Sequence, residues 1–238
     1  MHVPCRIDSE DHSRRSPALS RLIQVSEAYD WSWLRQSLAA PEITLEVYAS
    51  IPEELGRQIE VVDGRIIRCE SPTPEHQTIQ HNLVSALRDA AKYMDAREQT
   101  CHKVIGDVDM LLTEAPRLHY RRPDVVVYRC IESDRGRWRR KPYASDSLLV
   151  IEIVSPGTVV TDTRDKLAEY AQARIPHYWV VQMAGNDGPV VSIERFRLTI
   201  SGKYISDGIS VRGTDLVAVD VIDPFATRIT WEYLDDGI

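Results

Sequence analysis

The sequence lacks the features of a membrane protein, a secreted protein or a zinc protein. No apolar run approaches the ~18 residues that a helix needs to cross a bilayer. The polar stretch from Met1 to Pro17 contains no apolar core of a signal peptide. The four cysteines form no CxxC motif and no cluster with histidines: Cys5, Cys69, Cys101 and Cys130. We therefore expect a cytoplasmic protein, away from membranes, with reduced thiols.

Positive charge is also in short supply. Lysine and arginine number 29 against 36 aspartates and glutamates, which gives a formal net charge of −7. This balance argues against a protein that binds nucleic acid over its whole surface, although a local basic groove is compatible with it. With 43% hydrophobic and 27% charged residues, the chain has the composition of a globular protein with one substantial core.

The chain divides into a short extension and one main domain. Residues 1–43 form an N-terminal extension that we expect to be partly helical, because apolar residues recur at helical spacing within Ala18–Ala40. Three apolar residues of this extension are candidates for a homodimer interface or for packing on their own domain: Trp31, Trp33 and Leu34. Residues 44–238 form the main domain, which ends in a β-rich tail.

The main domain has a definite predicted order of elements. Asp63-Gly64 separates two short apolar strands and predicts a β-hairpin. From Pro74 to about Tyr93, apolar residues share one helical face. The next elements are strands near 103–112, 119–129 and 147–155, a helix from Thr161 or Asp162 that ends before Pro176, and a strand at 177–181. This order of helix, three strands, helix and strand predicts an α/β (α+β) fold with a mixed β-sheet flanked by helices.

One carboxylate lies inside the most apolar stretch of the chain. The run Leu148–Val154 is too short for a membrane span and predicts a buried strand, yet it contains Glu152. Burying an unpaired carboxylate is so costly that the fold must supply a cation, a metal ion, hydrogen-bond donors or a proton. Glu152 is therefore a candidate functional residue, with a core ion pair to an arginine as the alternative.

A second acid has similar surroundings. Asp124 precedes an apolar strand, and strand alternation places it on the face of Val126 and Tyr128. If this strand neighbours that of Glu152, one Mg²⁺ or Mn²⁺ ion can bridge the two acids. Mg²⁺ takes one or two protein carboxylates and keeps waters whose places phosphate oxygens can take. Alone, Asp124 is equally well explained as a turn residue that enters a strand.

A lysine on the second predicted helix is a candidate partner for these acids. Asp162, Lys166 and Tyr170 recur at every fourth position and therefore share one stripe of the helix. Leu167 turns towards the core, so Lys166 lies at the edge of the buried face and can extend its amine towards the strand ends. The alternative is an ordinary helical salt bridge between Asp162 and Lys166, worth about 0.3–0.5 kcal/mol.

Two basic clusters lie between the acidic strands in the sequence. Arg121 and Arg122 precede the first acid, and Arg139 and Arg140 belong to a basic loop around Trp138. Cations and an aromatic side chain in one loop can hold phosphates and stack a base, although a solvated charge run is the more common explanation. Their position favours phosphate, so we expect nucleic acid, in particular DNA, as the partner.

His76 is a weaker candidate for the same site. It lies early in the first predicted helix, within Pro74-Glu75-His76-Gln77. A histidine there can point at the acids, but most isolated histidines are surface groups or satisfied core groups. Its role depends on whether the helix begins beside the acidic strands.

An ordered set of motifs resembles the Uma2 family of endonucleases. The motifs are Ile59-Glu60-Val-Val-Asp63-Gly64, Ser71-Pro-Thr-Pro-Glu-His76-Gln, Pro123-Asp124-Val-Val-Val, Leu149-Val-Ile-Glu152-Ile-Val-Ser155-Pro156-Gly-Thr158, Asp162, Lys166, Tyr170 and Ile175-Pro-His-Tyr178-Trp179-Val-Val. The resemblance covers about residues 44–230. Each motif alone is weak, whereas the ordered set is specific.

This resemblance implies the restriction-endonuclease-like fold of the PD-(D/E)XK superfamily, whose core has the same order of helix, three strands, helix and strand. It implies that Asp124 and Glu152 are metal ligands, that the carbonyl of Ile153 is a further ligand, and that His76 lies near the site. Val154 stands where the superfamily signature has a lysine, and Lys166 resembles the relocated lysine of this family. A homodimer is expected from the superfamily, because cutting two strands commonly needs two sites.

Three functional hypotheses follow from these residues. The leading one is a Mg²⁺- or Mn²⁺-dependent endonuclease, in which Asp124 and Glu152 hold the metal and Lys166 orients water or offsets negative charge. The arginine clusters would anchor flanking phosphates of DNA. The first alternative is a nucleic-acid- or protein-binding module on a degenerate nuclease fold, because Val154 replaces the signature lysine. The second is a hydrolase that uses the two acids as an acid/base pair on a non-phosphate substrate.

Overall fold

Three β-sheets, of six, four and two strands, and one long helix organise the part of the chain that the computed structural model describes. That part comprises residues 42–69, 71–138, 141–154 and 159–238, without the side chains of residues 137 and 159–163. The predicted helix within Ala18–Ala40 and the candidate interface residues of the extension lie outside the described residues.

The described residues form five α-helices and twelve strands. The helices are α1 (Leu45–Ser50), α2 (Glu53–Gly56), α3 (Pro74–Glu98), α4 (Val159–Gln172) and α5 (Trp231–Leu234). The strands are β1 (Ile59–Val62), β2 (Arg65–Arg68), β3 (His102–Ile105), β4 (Met110–Thr113), β5 (His119–Arg121), β6 (Val125–Arg129), β7 (Ser147–Val154), β8 (His177–Met183), β9 (Val190–Leu198), β10 (Tyr204–Val211), β11 (Val219–Val221) and β12 (Thr227–Ile229). Short 3-10 turns occupy Gly136–Trp138 and Ala144–Asp146.

The main sheet has six strands in the order β10-β9-β8-β7-β6-β3. Only β7 and β8 run parallel, and α4 is the crossover between them, as a parallel pair requires. The other neighbours are antiparallel. Helix α3, the strands β3, β6 and β7, helix α4 and strand β8 therefore follow the predicted order, and the predicted fold class of a mixed sheet flanked by helices is confirmed.

A smaller sheet of four strands, in the order β2-β1-β5-β4, packs beside the main one. The hairpin of β1 and β2 turns at Asp63 and Gly64, whose positive φ values of 49° and 74° match the predicted Asp-Gly turn. Tyr48 of helix α1 and Ile43, which precedes the helix, share a buried cluster with the strands of this sheet.

Two of the predicted strands are each divided into two shorter strands. The predicted strand 103–112 divides at Gly106 and Asp107, because Asp107 has a φ of 52° that breaks the extended backbone. The predicted strand 119–129 divides before Val125, since Pro123 has no N–H to donate to a ladder. β4 and β5 pair with each other and leave the main sheet for the small one. Asp124 therefore lies where the chain enters the main sheet.

Helix α3 begins where predicted and is longer than predicted. The Thr73 hydroxyl accepts a hydrogen bond from the His76 N–H as N-cap, and Pro74 occupies the first turn. The predicted end was about Tyr93, whereas the helix continues to Glu98 and stops at Gln99, which has a left-handed φ of 56°. The buried stripe runs on beyond the predicted end, which explains the additional turn.

The apolar core has one layer on each face of the main sheet. Val125 and Ile151 pack with the buried face of α3, whereas Val126 and Val150 pack in a second cluster on the opposite face of the sheet together with Tyr170 of α4. This alternation along β6 and β7 is the period-two pattern expected of strands buried on both faces. It decides which helix each polar residue of these strands can meet.

The prediction of reduced thiols is wrong. Cys101 and Cys130 form a disulfide that links the start of β3 to the end of β6, with the two Cα atoms 5.4 Å apart. His102 pairs with Arg129 in the antiparallel register, so the residues just outside this pair meet although 29 positions separate them in the sequence. Cys69 is disulfide-bonded as well. Among the described helices, none is long and apolar enough to cross a membrane.

Candidate active site

Asp124 and Glu152 lie at the junction of β6 and β7. Val125 pairs with Ile151 in the antiparallel register, and the next step of this register sets the two acids opposite each other. Both side chains are buried, with about 1% of their surface exposed. The condition on which the metal hypothesis depended, that the two strands are neighbours, is therefore met.

Asp124 is held from three sides. Its Oδ2 atom accepts a hydrogen bond of 2.6 Å from the main-chain N–H of Ile153. The same oxygen lies 3.4 Å from Nε2 of His76, which is buried on α3. The side-chain amide of Gln80, one turn further along α3, donates to the main-chain carbonyl of Asp124 at 2.8 Å. The start of α3 and the edge of β7 thus fix the orientation of this carboxylate.

Glu152 faces α4. Its Oε2 atom lies 2.9 Å from the Lys166 ammonium, and its Oε1 atom accepts a hydrogen bond of 2.6 Å from the hydroxyl of Tyr170. Lys166 is itself only 2% exposed. Burial, followed by the charge of Glu152, raises the pKa of Tyr170 well above its ordinary value, so the tyrosine stays a hydrogen-bond donor. The structure therefore brings the predicted lysine to the predicted glutamate, while the Asp162 side chain lies outside the described part.

A second ion cluster lies next to this pair and contains Arg121. Its guanidinium donates to both oxygens of Glu169 on α4, at 2.7 and 2.6 Å, and to Glu60 of β1 at 2.8 Å. Burial alone would raise the pKa of Glu169, but the hydrogen bonds from His119 and Arg121 lower it to about 2. Arg121 is 4% exposed. The prediction that Arg121 contacts a phosphate is therefore wrong, because its guanidinium is buried and paired with Glu60 and Glu169.

Arg122 belongs to a third cluster around Asp109. Its Nε atom donates to Asp109 at 2.8 Å, and its other nitrogens donate to main-chain carbonyls of Gly56 and Arg57. Lys141 and the Tyr48 hydroxyl also donate to Asp109. Burial opposes the charge of Asp109, yet the two cations lower its pKa below the ordinary value. Arg122 therefore ties α2 to the strand entry.

The basic loop differs in part from the prediction. Arg139 and Arg140 lie outside the described residues, so their predicted phosphate contacts stay predictions. Trp138 is buried against Tyr48 and Tyr120, with ring centroids 5.5 and 5.7 Å away, and cannot stack a base. Its position is explained by the apolar cluster of the small sheet.

Sequence reasoning missed several polar residues that surround the site. Glu169 and Asp109 complete the ion clusters, Gln80 holds Asp124, and Asp107 lines a cavity next to it. Desolvation raises the pKa of Asp107, and the charge of Asp124 adds to the rise. The local signal was the spacing of Asp107 and Asp109 just before the apolar strand β4. In an extended chain, side chains two residues apart point in the same direction.

The donor set suits a hard divalent cation. Asp124 and Glu152 lie one register step beyond the Val125–Ile151 pair and offer carboxylate oxygens, and the main-chain N–H of Ile153 donates to Asp124. Oxygen ligands of this type are the ones that Mg²⁺ and Mn²⁺ prefer. Within residues 42–238 as described, no group of three or more His, Cys, Asp and Glu side chains is arranged to hold a metal. Water and substrate oxygens would therefore complete the shell.

Comparisons with known proteins found one family match and a similar solved structure. Residues 45–228 match the model of the Uma2 family, described as "Putative restriction endonuclease". A crystal structure described as "a putative nuclease belonging to DUF820" from Anabaena variabilis matches with a TM-score of 0.58 and 18% sequence identity, over 82% of this chain and 98% of that chain. At this identity the likeness shows the fold alone. No curated protein matches the chain. The fold of this chain is similar to that of this crystal structure. Since the family model spans most of its length, the chain belongs to the Uma2 family.

Proposed function

We propose that the protein is a metal-dependent endonuclease that hydrolyses phosphodiester bonds of DNA, with Asp124 and Glu152 holding Mg²⁺ or Mn²⁺. The observation that carries the proposal is the contact of 2.9 Å between the Lys166 ammonium and Glu152, which joins the acidic strand pair to a buried cation. A cation beside an acid of the proposed metal site favours phosphodiester hydrolysis, because negative charge develops on the phosphate. Family membership and fold support the same reaction class.

Each residue has a separate role in this proposal. Asp124 and Glu152 would bind the ion, which when bound polarises the scissile phosphate and lowers the pKa of the attacking water. His76 would hold Asp124 in its orientation, since its ring lies 3.4 Å from the carboxylate. Tyr170 orients Glu152 through its hydroxyl. These contacts leave the acids with little freedom to rotate, which is the preorganisation that favours a charged transition state.

Lys166 supplies charge where the superfamily signature has a lysine on the strand. Val154 occupies that signature position and is buried in an apolar cluster, so it contributes no charge. Lysine is a compact point charge, so Lys166 beside Glu152 can offset the negative charge that develops on a phosphate. Lys166 of α4 thus provides the positive charge that Val154 of β7 lacks.

A binding module on a degenerate nuclease fold is the second candidate. The observation that favours it is the same buried Val154, together with the burial of both acids. Such a module would bind nucleic acid in a salt-dependent way and would not turn over substrate in the presence of metal.

The test is cleavage of supercoiled plasmid and of single-stranded oligonucleotides by the wild type and Glu152→Gln, each with Mg²⁺, Mn²⁺ or EDTA. We expect metal-dependent nicking by the wild type and a loss of roughly 10²–10³-fold or more in the variant, because glutamine keeps the shape and removes the charge. Glu232→Gln, at an exposed position of α5, is the matched control. Full activity of Glu152→Gln would overturn the site. Absence of cleavage by the folded wild type, with binding retained, would favour the module.

A further inference from the structure

A cavity of about 750 Å³ lies between α1, α2, the start of α3 and the turn that joins β3 to β4. Its volume is within the roughly 300–1,000 Å³ of small-molecule sites. The residues that line it include Tyr48, Gln77, Asp107, Arg122 and Lys141. Neither Asp124 nor Glu152 lines it, so the proposed catalytic centre leaves this space unused.

The cavity is joined rigidly to Asp124. A Cβ atom at Gly106 would lie 2.9 Å from the main-chain oxygen of Asp124 and 2.8 Å from the amide nitrogen of Gln80, so this close approach requires glycine. Gln80 donates to that same oxygen, and Asp107 of the cavity wall follows Gly106 directly in the chain. The close approach at Gly106 therefore places the cavity wall beside the catalytic acid.

The charges of those lining residues that the structure describes cancel. Three cations line the cavity, namely Arg57, Arg122 and Lys141, and so do three carboxylates, namely Glu53, Asp107 and Asp109. Arg57 pairs with Glu53, while Arg122 and Lys141 both pair with Asp109. A phosphate placed here would meet cations that are already used and a carboxylate at Asp107. The lining therefore suits a neutral polar ligand better than an anion.

We propose that the cavity holds an unpaired nucleobase of the nucleic-acid substrate while the adjoining phosphate lies at Asp124 and Glu152. A base inside a duplex is covered by its partner and its neighbours, so only a single-stranded or extruded base can enter. This inference rests on the proposed function, because the cavity is placed by its attachment to the catalytic acid. It specifies the substrate class as nucleic acid with unpaired bases at the cleavage site.

The polar lining predicts which bases are preferred. Asp107 is exposed to the cavity, and its carboxyl oxygens accept hydrogen bonds, so it favours bases that carry an amino group, such as cytosine. Thymine offers a carbonyl at the corresponding position, which a carboxylate repels. Gln77, which also lines the cavity and is exposed, can donate and accept and therefore does not discriminate.

The experiment measures binding without cleavage. Fluorescence anisotropy of labelled oligo-dC and oligo-dT, each of about 12 nucleotides, is followed with the Glu152→Gln protein in EDTA. We expect oligo-dC to bind roughly tenfold more tightly than oligo-dT. Adding Asp107→Asn should bring the ratio near one, because an asparagine amide can serve either base. Asparagine tolerates the left-handed φ of 52° at this position, so the turn should survive.

Asp220→Asn, at an exposed position of β11, is the matched control and should leave the ratio unchanged. Equal binding of the two oligonucleotides, no binding of either, or an unchanged ratio in Asp107→Asn would overturn the base pocket. If the wild type nicks plasmid while the ratio is one, the pocket is rejected and the nuclease stands. If the ratio behaves as expected and no substrate is cleaved, the nuclease is rejected and the binding site stands.

Discussion

Helix α4 carries two buried ion pairs on adjacent turns, and the two are built differently. Lys166 meets Glu152 of β7 through one contact of 2.9 Å, whereas Glu169 meets Arg121 of β5 through two contacts of 2.6 and 2.7 Å. A lysine is a point charge that can be redirected, while an arginine fork is fixed in its plane by each further bond. This difference is consistent with our proposal that the first pair takes part in the chemistry, whereas the second holds the helix in place.

The Arg121 pair should dominate stability. Arg121→Met would leave Glu60 and Glu169 without their guanidinium, and breaking a buried pair in this way costs about 3–5 kcal/mol. Urea unfolding followed by circular dichroism measures the loss. Arg197→Met is the control, because Arg197 pairs with Asp207 on the surface at 3.2 Å and should cost less than about 1 kcal/mol. Equal losses in the two variants would remove the structural role of the second pair.

The Lys166 pair should dominate activity. Lys166→Met keeps much of the side-chain volume and removes the charge, so we expect plasmid nicking to fall by roughly 10²–10³-fold. Lys92→Met, on the exposed face of α3, should cleave like the wild type.

Stability separates the chemical role of Lys166 from a structural one. Lys166→Met leaves Glu152 buried without its cation, whereas the double variant Glu152→Gln/Lys166→Met removes both charges and should regain part of the lost unfolding free energy. Nicking should stay absent in both. Wild-type nicking by Lys166→Met would contradict the assignment.

The two ion pairs should also differ in how their contribution to the unfolding free energy changes at low pH, and this effect is smaller than the preceding ones. The pKa of Glu169 is lowered to about 2, so the stabilisation from its ionised form is complete above its unfolded value of about 4.5 and is lost as pH falls towards 2. Glu169→Gln lacks this contribution. The difference in unfolding free energy between the wild type and Glu169→Gln should therefore shrink between about pH 4.5 and 2. A constant difference across this range would mean that Glu169 is not held ionised by Arg121.

Local patterns in the sequence were sufficient for the first pair and insufficient for the second. An acid in an apolar strand and a lysine at the edge of a helix can each be recognised from the pattern of a single element. Glu152 and Lys166 are also only 14 residues apart in the sequence. Arg121 pairs with Glu60 and Glu169, which lie 61 and 48 residues away in the sequence. Nothing near Arg121 in the sequence distinguishes a buried fork from a phosphate ligand, which is why its role was mispredicted.

The fold followed the same division between local and distant information. The hairpin at Asp63-Gly64, the cap at Thr73 and the crossover helix α4 depend on neighbouring residues and could be predicted. The departure of β4 and β5 into a second sheet depends on partners elsewhere in the chain. The same holds for the disulfide of Cys101 with Cys130, which requires the register of β3 and β6.

Metal binding tests the comparison most directly. Calorimetric titration of Mn²⁺ into the wild type, Glu152→Gln and Glu169→Gln measures whether the acid beside Lys166 is a ligand and the acid beside Arg121 is not. We predict that the wild type and Glu169→Gln bind Mn²⁺ with similar affinity and that Glu152→Gln does not bind it. Wild-type affinity in Glu152→Gln, or its loss in a folded Glu169→Gln instead, would contradict the account.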